Sequence, residues 1–243
     1  LAVDPPACHE NPDLFHVKTV RQRWFDVACC PTNIARTIMS IGGYAYATGE
    51  DGLYINMPLA AEVHSSGHAV RVESGYPYGG TVRITALAGG QRVHLRQSGL
   101  APATALTLNG NPLPISITRG YIDLPTLNEG DTVEATLSMA PHYVVSHPKV
   151  TGNVGKAAVM RGPLVYCAEQ ADNGAGVASL ALPEALACDE GEAFTRDGAV
   201  ALTVHGCKAA FAGDDALYQS VLPTWQAADI RLIPYHLWAN RGE

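Results

Sequence analysis

The sequence predicts a mainly β protein: two antiparallel β-sandwich domains preceded by one short helix. Three observations carry that prediction. From residue 44 onward, short segments alternate apolar and polar residues with a period of two. Turn signals separate them at the roughly 8–12-residue spacing of sandwich folds. Gly (24) and Pro (16) recur as punctuation rather than in runs.

Residues 1–28 read as irregular, with Pro5, Pro6 and Pro12 ahead of RQRWFDVACC. The helix follows, over about 31–41. Pro31 suits a first helical turn. Ile34, Ile38 and Ile41 share one helical face. Gly42-Gly43 is expected to stop it. Strands are then expected at 44–48, 53–59, 69–74, 81–87, 92–97, 104–108, 121–124 and 131–137. Residues 49–52 (Gly-Glu-Asp-Gly) form a hairpin turn between the first two. Asn109-Gly110 is the strongest hairpin signal in the chain. A second series covers 156–160, 163–169, 200–206, 216–222 and 229–238. Residues 170–198, rich in Ala, Gly and acids, read as surface excursions. The boundary falls near 140–148, around Met139-Ala140-Pro141.

Composition excludes several functions. Hydrophobic residues make up 47% of the 243, too many for a disordered chain. Net charge is −7, and the 16 Lys and Arg form no basic run, so no nucleic-acid partner is expected. No apolar stretch reaches the roughly 18–20 residues of a membrane helix. There is no glycine-rich phosphate loop. The chain starts LAVDPPACHE, without Met or a leader pattern, and ends PYHLWANRGE within a strand approach. We therefore expect a piece of a larger protein.

Six cysteines stand at 8, 29, 30, 167, 188 and 207. The chain is too long and apolar to need a disulfide framework. Free or metal-bound thiols point to a reducing compartment and a cytoplasmic location. Cys167, in LVYCAE, reads as a small core residue, as do Cys8, Cys188 and Cys207.

Cys29-Cys30-Pro31 is the outstanding chemical feature. A helix N-terminus carries unpaired N–H groups and about half a positive charge, which favours a thiolate. Such a thiolate is a nucleophile, a zinc ligand, or both. Two small residues packed at a helix start would explain the pair equally well. A zinc site needs about four ligands, and this pair supplies at most two. His9 or His16 could complete a Cys–His thiol site, and Asp26 could be a site acid, although single histidines and a hydrogen-bonding Asp are more often structural. Trp24, Phe25, Tyr76, Tyr78 and Trp238 could stack on a sugar, with core packing the default for each.

These strings resemble a known family. RQRWFDVACCPTNIARTIMSIGGYAYATGEDGLYINM is similar to the end of the catalytic domain of glycoside hydrolase family 127, once a domain of unknown function. GYPYGGTVRIT, LTLNG, GYIDL, EGDTV, HPKVTGNVGKAAVMRGPLVYCAE and LIPYHLWANRG continue the resemblance in order along nearly the whole chain. The resemblance implies a retaining β-L-arabinofuranosidase with an (α/α)6 barrel followed by two β-sandwiches. It implies a cysteine nucleophile, and a zinc ion held by one Glu and three Cys. Carried over by motif, Cys29 matches the nucleophile and a zinc ligand, and Cys30 a further zinc ligand. Residues 1–43 would then be the remnant of the barrel, 44–141 the first sandwich and 142–243 the second. Most of the barrel has no counterpart here, nor do the other zinc ligands and the acid/base Glu. The chain alone is therefore expected to hold zinc weakly and to lack activity. The second expectation is a non-catalytic carbohydrate-binding or oligomerisation module, with self-association through the surface where the barrel would dock.

Overall fold

The computed structural model describes residues 29–193, 198–212 and 218–241. Among these, one compact unit comprises residues 29–140 and another 141–241. The division falls between Ala140 and Pro141.

The first unit opens with helix α1 (Cys29–Ala45). Strands β1 (Tyr46–Gly49), β2 (Gly52–Ile55), β3 (Ala61–Ser65), β4 (His68–Ser74), β5 (Thr81–Ala86) and β6 (Val93–Arg96) follow. They continue with β7 (Ala103–Leu108), β8 (Asn111–Pro112), β9 (Ile117–Thr118), β10 (Tyr121–Asp123) and β11 (Thr132–Leu137). The strands form two sheets, β1-β2-β6-β10-β9 and β3-β4-β5-β11-β7-β8. One pairing departs from the expected antiparallel order: β2 runs parallel to β6.

Alternation places the core. Val82, Ile84 and Ala86 of β5 point inward with Leu53, Ile55, Val70, Val72, Leu95, Ile122 and Val133, all essentially inaccessible. Each of the Val, Leu and Ile side chains among them contributes about 1.5–3 kcal/mol on burial. The intervening β5 residue Arg83 faces solvent and pairs with Glu134 of β11 at 2.8 Å. Asn109 and Gly110 both have positive φ (50° and 80°) in the two-residue loop between β7 and β8. This is the backbone twist that Asn-Gly favours in a tight hairpin.

The helix is longer than expected, 17 residues rather than eleven or so. Gly42 and Gly43 do not stop it; neither adopts the left-handed conformation that would cap a helix. Ala45, completely buried, ends it instead, and its carbonyl accepts the backbone N–H groups of Asn56 (2.8 Å) and Met57 (3.2 Å). The strand expected from residue 44 accordingly starts at Tyr46. Ile34, Ile38 and Ile41 share a face as expected. Among the described residues nothing covers that face, and Ile38 is 63% exposed.

The second unit holds β12 (Pro141–Val145), β13 (Ala157–Arg161), β14 (Leu164–Ala168), a one-turn helix α2 (Gln170–Asn173), β15 (Leu180–Ala181), β16 (Cys188–Glu192), β17 (Val200–Ala210) and β18 (Thr224–Pro234). Hydrogen bonds join its strands in one path, β12-β13-β14-β18-β17-β15, with β16 also on β17. β14 serves two neighbours: Leu164 and Val165 pair with β13, and Tyr166–Ala168 pair with β18. Val159, Tyr166, Leu202, Val204, Ile230 and Leu232 form the core. The strand expected at 216–222 is absent over the described residues 218–222. Tyr218, Val221 and Leu222 are exposed, and pairing begins at Thr224. Alternation there had no face to bury. β16, within the stretch read as loose, pairs along its whole length with β17.

Three adjacent strands carry a charged ladder on the solvent side. His205 Nδ1 meets Asp229 Oδ1 at 2.8 Å and Nε2 meets Asp189 Oδ2 at 3.1 Å. Hydrogen bonds donated first to Asp229 and then to Asp189 raise the His205 pKa above its ordinary value. The imidazolium is thus favoured in the folded chain. Stabilisation from this ladder is full below the unfolded value of about 6.5 and is lost as pH rises through the folded value. The difference in urea midpoint between wild type and His205→Gln should therefore be larger at pH 5.5 than at pH 8.5. A difference that grows with pH would contradict the assignment.

Candidate active site

Cys29 and Cys30 occupy the first turn of α1, with Pro31 beside them, where a missing N–H costs no helical bond. Thr32 Oγ1 donates to the Cys29 carbonyl at 3.0 Å, and Thr37 and Ser40 donate similarly to carbonyls one turn back. Both thiols are exposed, and their sulfurs lie 3.8 Å apart. The Cys30 thiol is held above its ordinary pKa by its hydrogen bond to Cys29, then by like charge on Cys29 and slight desolvation.

The spacing is chemically informative. Zinc–thiolate bonds of about 2.3 Å at tetrahedral angles put neighbouring sulfurs about 3.8 Å apart. The pair therefore fits one edge of such a site. Among the described residues no group of three or more His, Cys, Asp or Glu side chains is arranged to hold a metal. Cys8, His9, His16, Trp24, Phe25 and Asp26 lie outside the described residues.

Cys167 is buried in the core as expected, and burial pushes its thiol up to about 11. Cys188 and Cys207 are only half-buried, a correction to the core reading. Cys188, the first residue of β16, packs against the core beside the buried Val204, and Cys207 lies three residues beyond Val204 on β17. Tyr76 packs against the first core, and Trp238 stacks on Tyr235 with ring centres 5.9 Å apart.

Sequence reasoning passed over a polar face on β2, β6 and β10. Tyr54 stacks on His94 at 4.5 Å and meets Tyr121 edge-on at 4.9 Å. His94 Nδ1 contacts Asp123 Oδ1 at 2.8 Å, and the Tyr54 hydroxyl donates to Asp51 at 2.7 Å. The Asp51 carboxyl is held below its ordinary range, first by that hydroxyl; Asp123 is lowered first by Thr118 and then by His94. Outward positions in GLYI, VHLR and YID are the only sequence signal for this cluster.

Residues 141–243 match the family model described as the glycoside hydrolase family 127 C-terminal domain. A non-reducing end β-L-arabinofuranosidase from Bifidobacterium longum subsp. longum is 35% identical over 96% of the chain. Residues 141–243 are a glycoside hydrolase family 127 C-terminal domain. The chain also superposes on solved structures. A family 127 β-L-arabinofuranosidase from Geobacillus stearothermophilus T6 matches 99% of it with a TM-score of 0.87 and 35% identity. A second family 127 β-arabinofuranosidase matches 93% of it with a TM-score of 0.78 and 29% identity. The chain spans 38% of the length of the Bifidobacterium protein and 40% of the Geobacillus one. No helix among its described residues is long and apolar enough to cross a membrane.

Proposed function

We propose that this chain is the C-terminal part of a retaining glycoside hydrolase that releases terminal β-L-arabinofuranose from a glycan. Cys29 is the nucleophile, and Cys29 and Cys30 are two of the zinc ligands. The observation that carries the reading is the 3.8 Å sulfur spacing on the first turn of α1. The family 127 C-terminal domain and the arabinofuranosidase relatives supply the substrate class. Bound zinc would supply the positive charge that keeps coordinating thiols ionised at neutral pH.

Cys29 Sγ attacks the anomeric carbon with its lone pair as the glycosidic C–O bond breaks. The leaving oxygen takes that bond's electron pair and a proton from a general acid, an acid/base Glu outside these 243 residues. Water then attacks the same carbon, the C–S bond breaks, and its electrons return to Cys29 as thiolate. The water's proton returns to the acid/base group. Two inversions give retention. Cys30 holds its neighbour's ligand geometry and takes no electrons in either step.

The same reading makes the isolated 243-residue chain inactive and at most a β-rich accessory module, because two thiols are half a zinc site. Metal analysis of the purified chain should find well under one zinc per molecule after dialysis, and an aryl β-L-arabinofuranoside should not be turned over. The full-length enzyme should hold one zinc per molecule and turn the substrate over. One tightly held zinc and measurable turnover in the isolated chain would overturn the reading.

A further inference from the structure

Within the first unit, α1 is fastened to its sheet at its C-terminal end. The fastening is the two backbone bonds to Ala45 O together with the side chain of Asn56. Asn56 Nδ2 donates to the Tyr44 carbonyl at 3.3 Å, and its Oδ1 accepts the Tyr121 hydroxyl at 2.6 Å. Tyr121 stands on β10, two strands beyond β2 in the sheet, and its ring is braced by Tyr54 and, through Tyr54, by His94. The amide cannot swing without breaking two bonds at once. The last carbonyls of a helix have no partners of their own, so an outside donor there fixes where the helix axis leaves the sheet.

We propose that Asn56, held by Tyr121, is a positioning residue for the Cys29–Cys30 pair. This rests on the reading of Cys29 as the nucleophile. The helix is a lever: its 17 residues span about 24 Å, so a tilt of about 5° at the clasp moves the thiols by about 2 Å. Misplacement of an attacking atom by about 1 Å can cost about 10²-fold in rate. The clasp therefore acts on attack rather than on substrate binding.

The test uses the full-length enzyme and an aryl β-L-arabinofuranoside. Asn56→Asp keeps the shape but replaces the amide donor with an oxygen. Tyr121→Phe keeps the ring and removes only the hydroxyl, so it decides the matter even if the first variant folds poorly. We expect kcat to fall about tenfold in Asn56→Asp and about threefold in Tyr121→Phe, with KM nearly unchanged. The double variant should be no worse than Asn56→Asp alone, because both break one chain of bonds. Wild-type kcat in both variants, whatever their melting points, overturns the inference. Cys29→Ser, assayed alongside, separates the two levels: wild-type turnover there overturns the thiolate reading and this inference with it. Loss there with intact kcat in both clasp variants overturns the inference alone.

Discussion

Replacing Cys29 with serine in the intact enzyme should lower kcat by at least about 10³-fold, roughly 4 kcal/mol of barrier. The substitution keeps the size of the side chain on the first turn of α1 and changes its acidity. A thiol beside a helix start and a metal ionises near neutral pH, and a hydroxyl does not. Cys30→Ser should also impair turnover, but through lost metal, so added zinc should restore part of it. The two cysteines are thereby separable, although their sulfurs are only 3.8 Å apart. A mechanism-based furanoside should label Cys29 in the wild type, and peptide mapping would locate the adduct. A label on a carboxylate, or near-normal turnover in Cys29→Ser, would leave the pair with a structural role only.

The second large effect lies at the other end of the chain. Arg241→Ala should destabilise the second unit by about 3 kcal/mol. Glu169, 7% exposed, follows β14 and opens the turn into α2. It accepts the Ala239 backbone N–H at 2.6 Å and the Arg241 Nε at 3.1 Å. The same guanidinium forks onto both oxygens of Asp172, at 2.8 and 2.6 Å. These carboxylates push the Arg241 pKa further up, Asp172 first. Removing the guanidinium leaves two carboxylates in poor solvent, with Arg231 Nε at 3.7 Å from Asp172 as the nearby cation. The urea midpoint should fall with the slope unchanged, and Glu169→Gln should cost less because it removes a charge rather than stranding one. A loss below about 1 kcal/mol for Arg241→Ala would show that water replaces the guanidinium at no great cost.

Local chemistry was legible in the sequence wherever one segment decides its own fate. Asn109-Gly110 announced its hairpin because the required positive φ values belong to those two residues. The period of two in TVRIT and DTVEATL found β5 and β11 because both have one face in the core. Gly42-Gly43 misled because two glycines are compatible with a helix as well as with its end; the decision came from Asn56 and Met57, beyond the next hairpin. The strand expected at 216–222 misled over its described residues 218–222, because alternation implies a strand only where a neighbour buries one face. The Cys29-Cys30 pair was legible as two cysteines at a helix start, but their 3.8 Å sulfur spacing was not. The clasp and the Arg241 cluster were invisible because their partners lie far apart: Tyr121 is 65 residues from Asn56, and Arg241 is 72 from Glu169. Long-range polar bonds leave no periodicity to read.

The shared strand β14 has a consequence for how such sequences can drift. Its first two residues keep register with β13 and its last three with β18. A single inserted or deleted residue between 164 and 168 would turn the following side chains over and shift one pairing against the other. Lineages carrying this unit should therefore vary in length around the connection between β17 and β18, and hold the five-residue span of β14 at constant length.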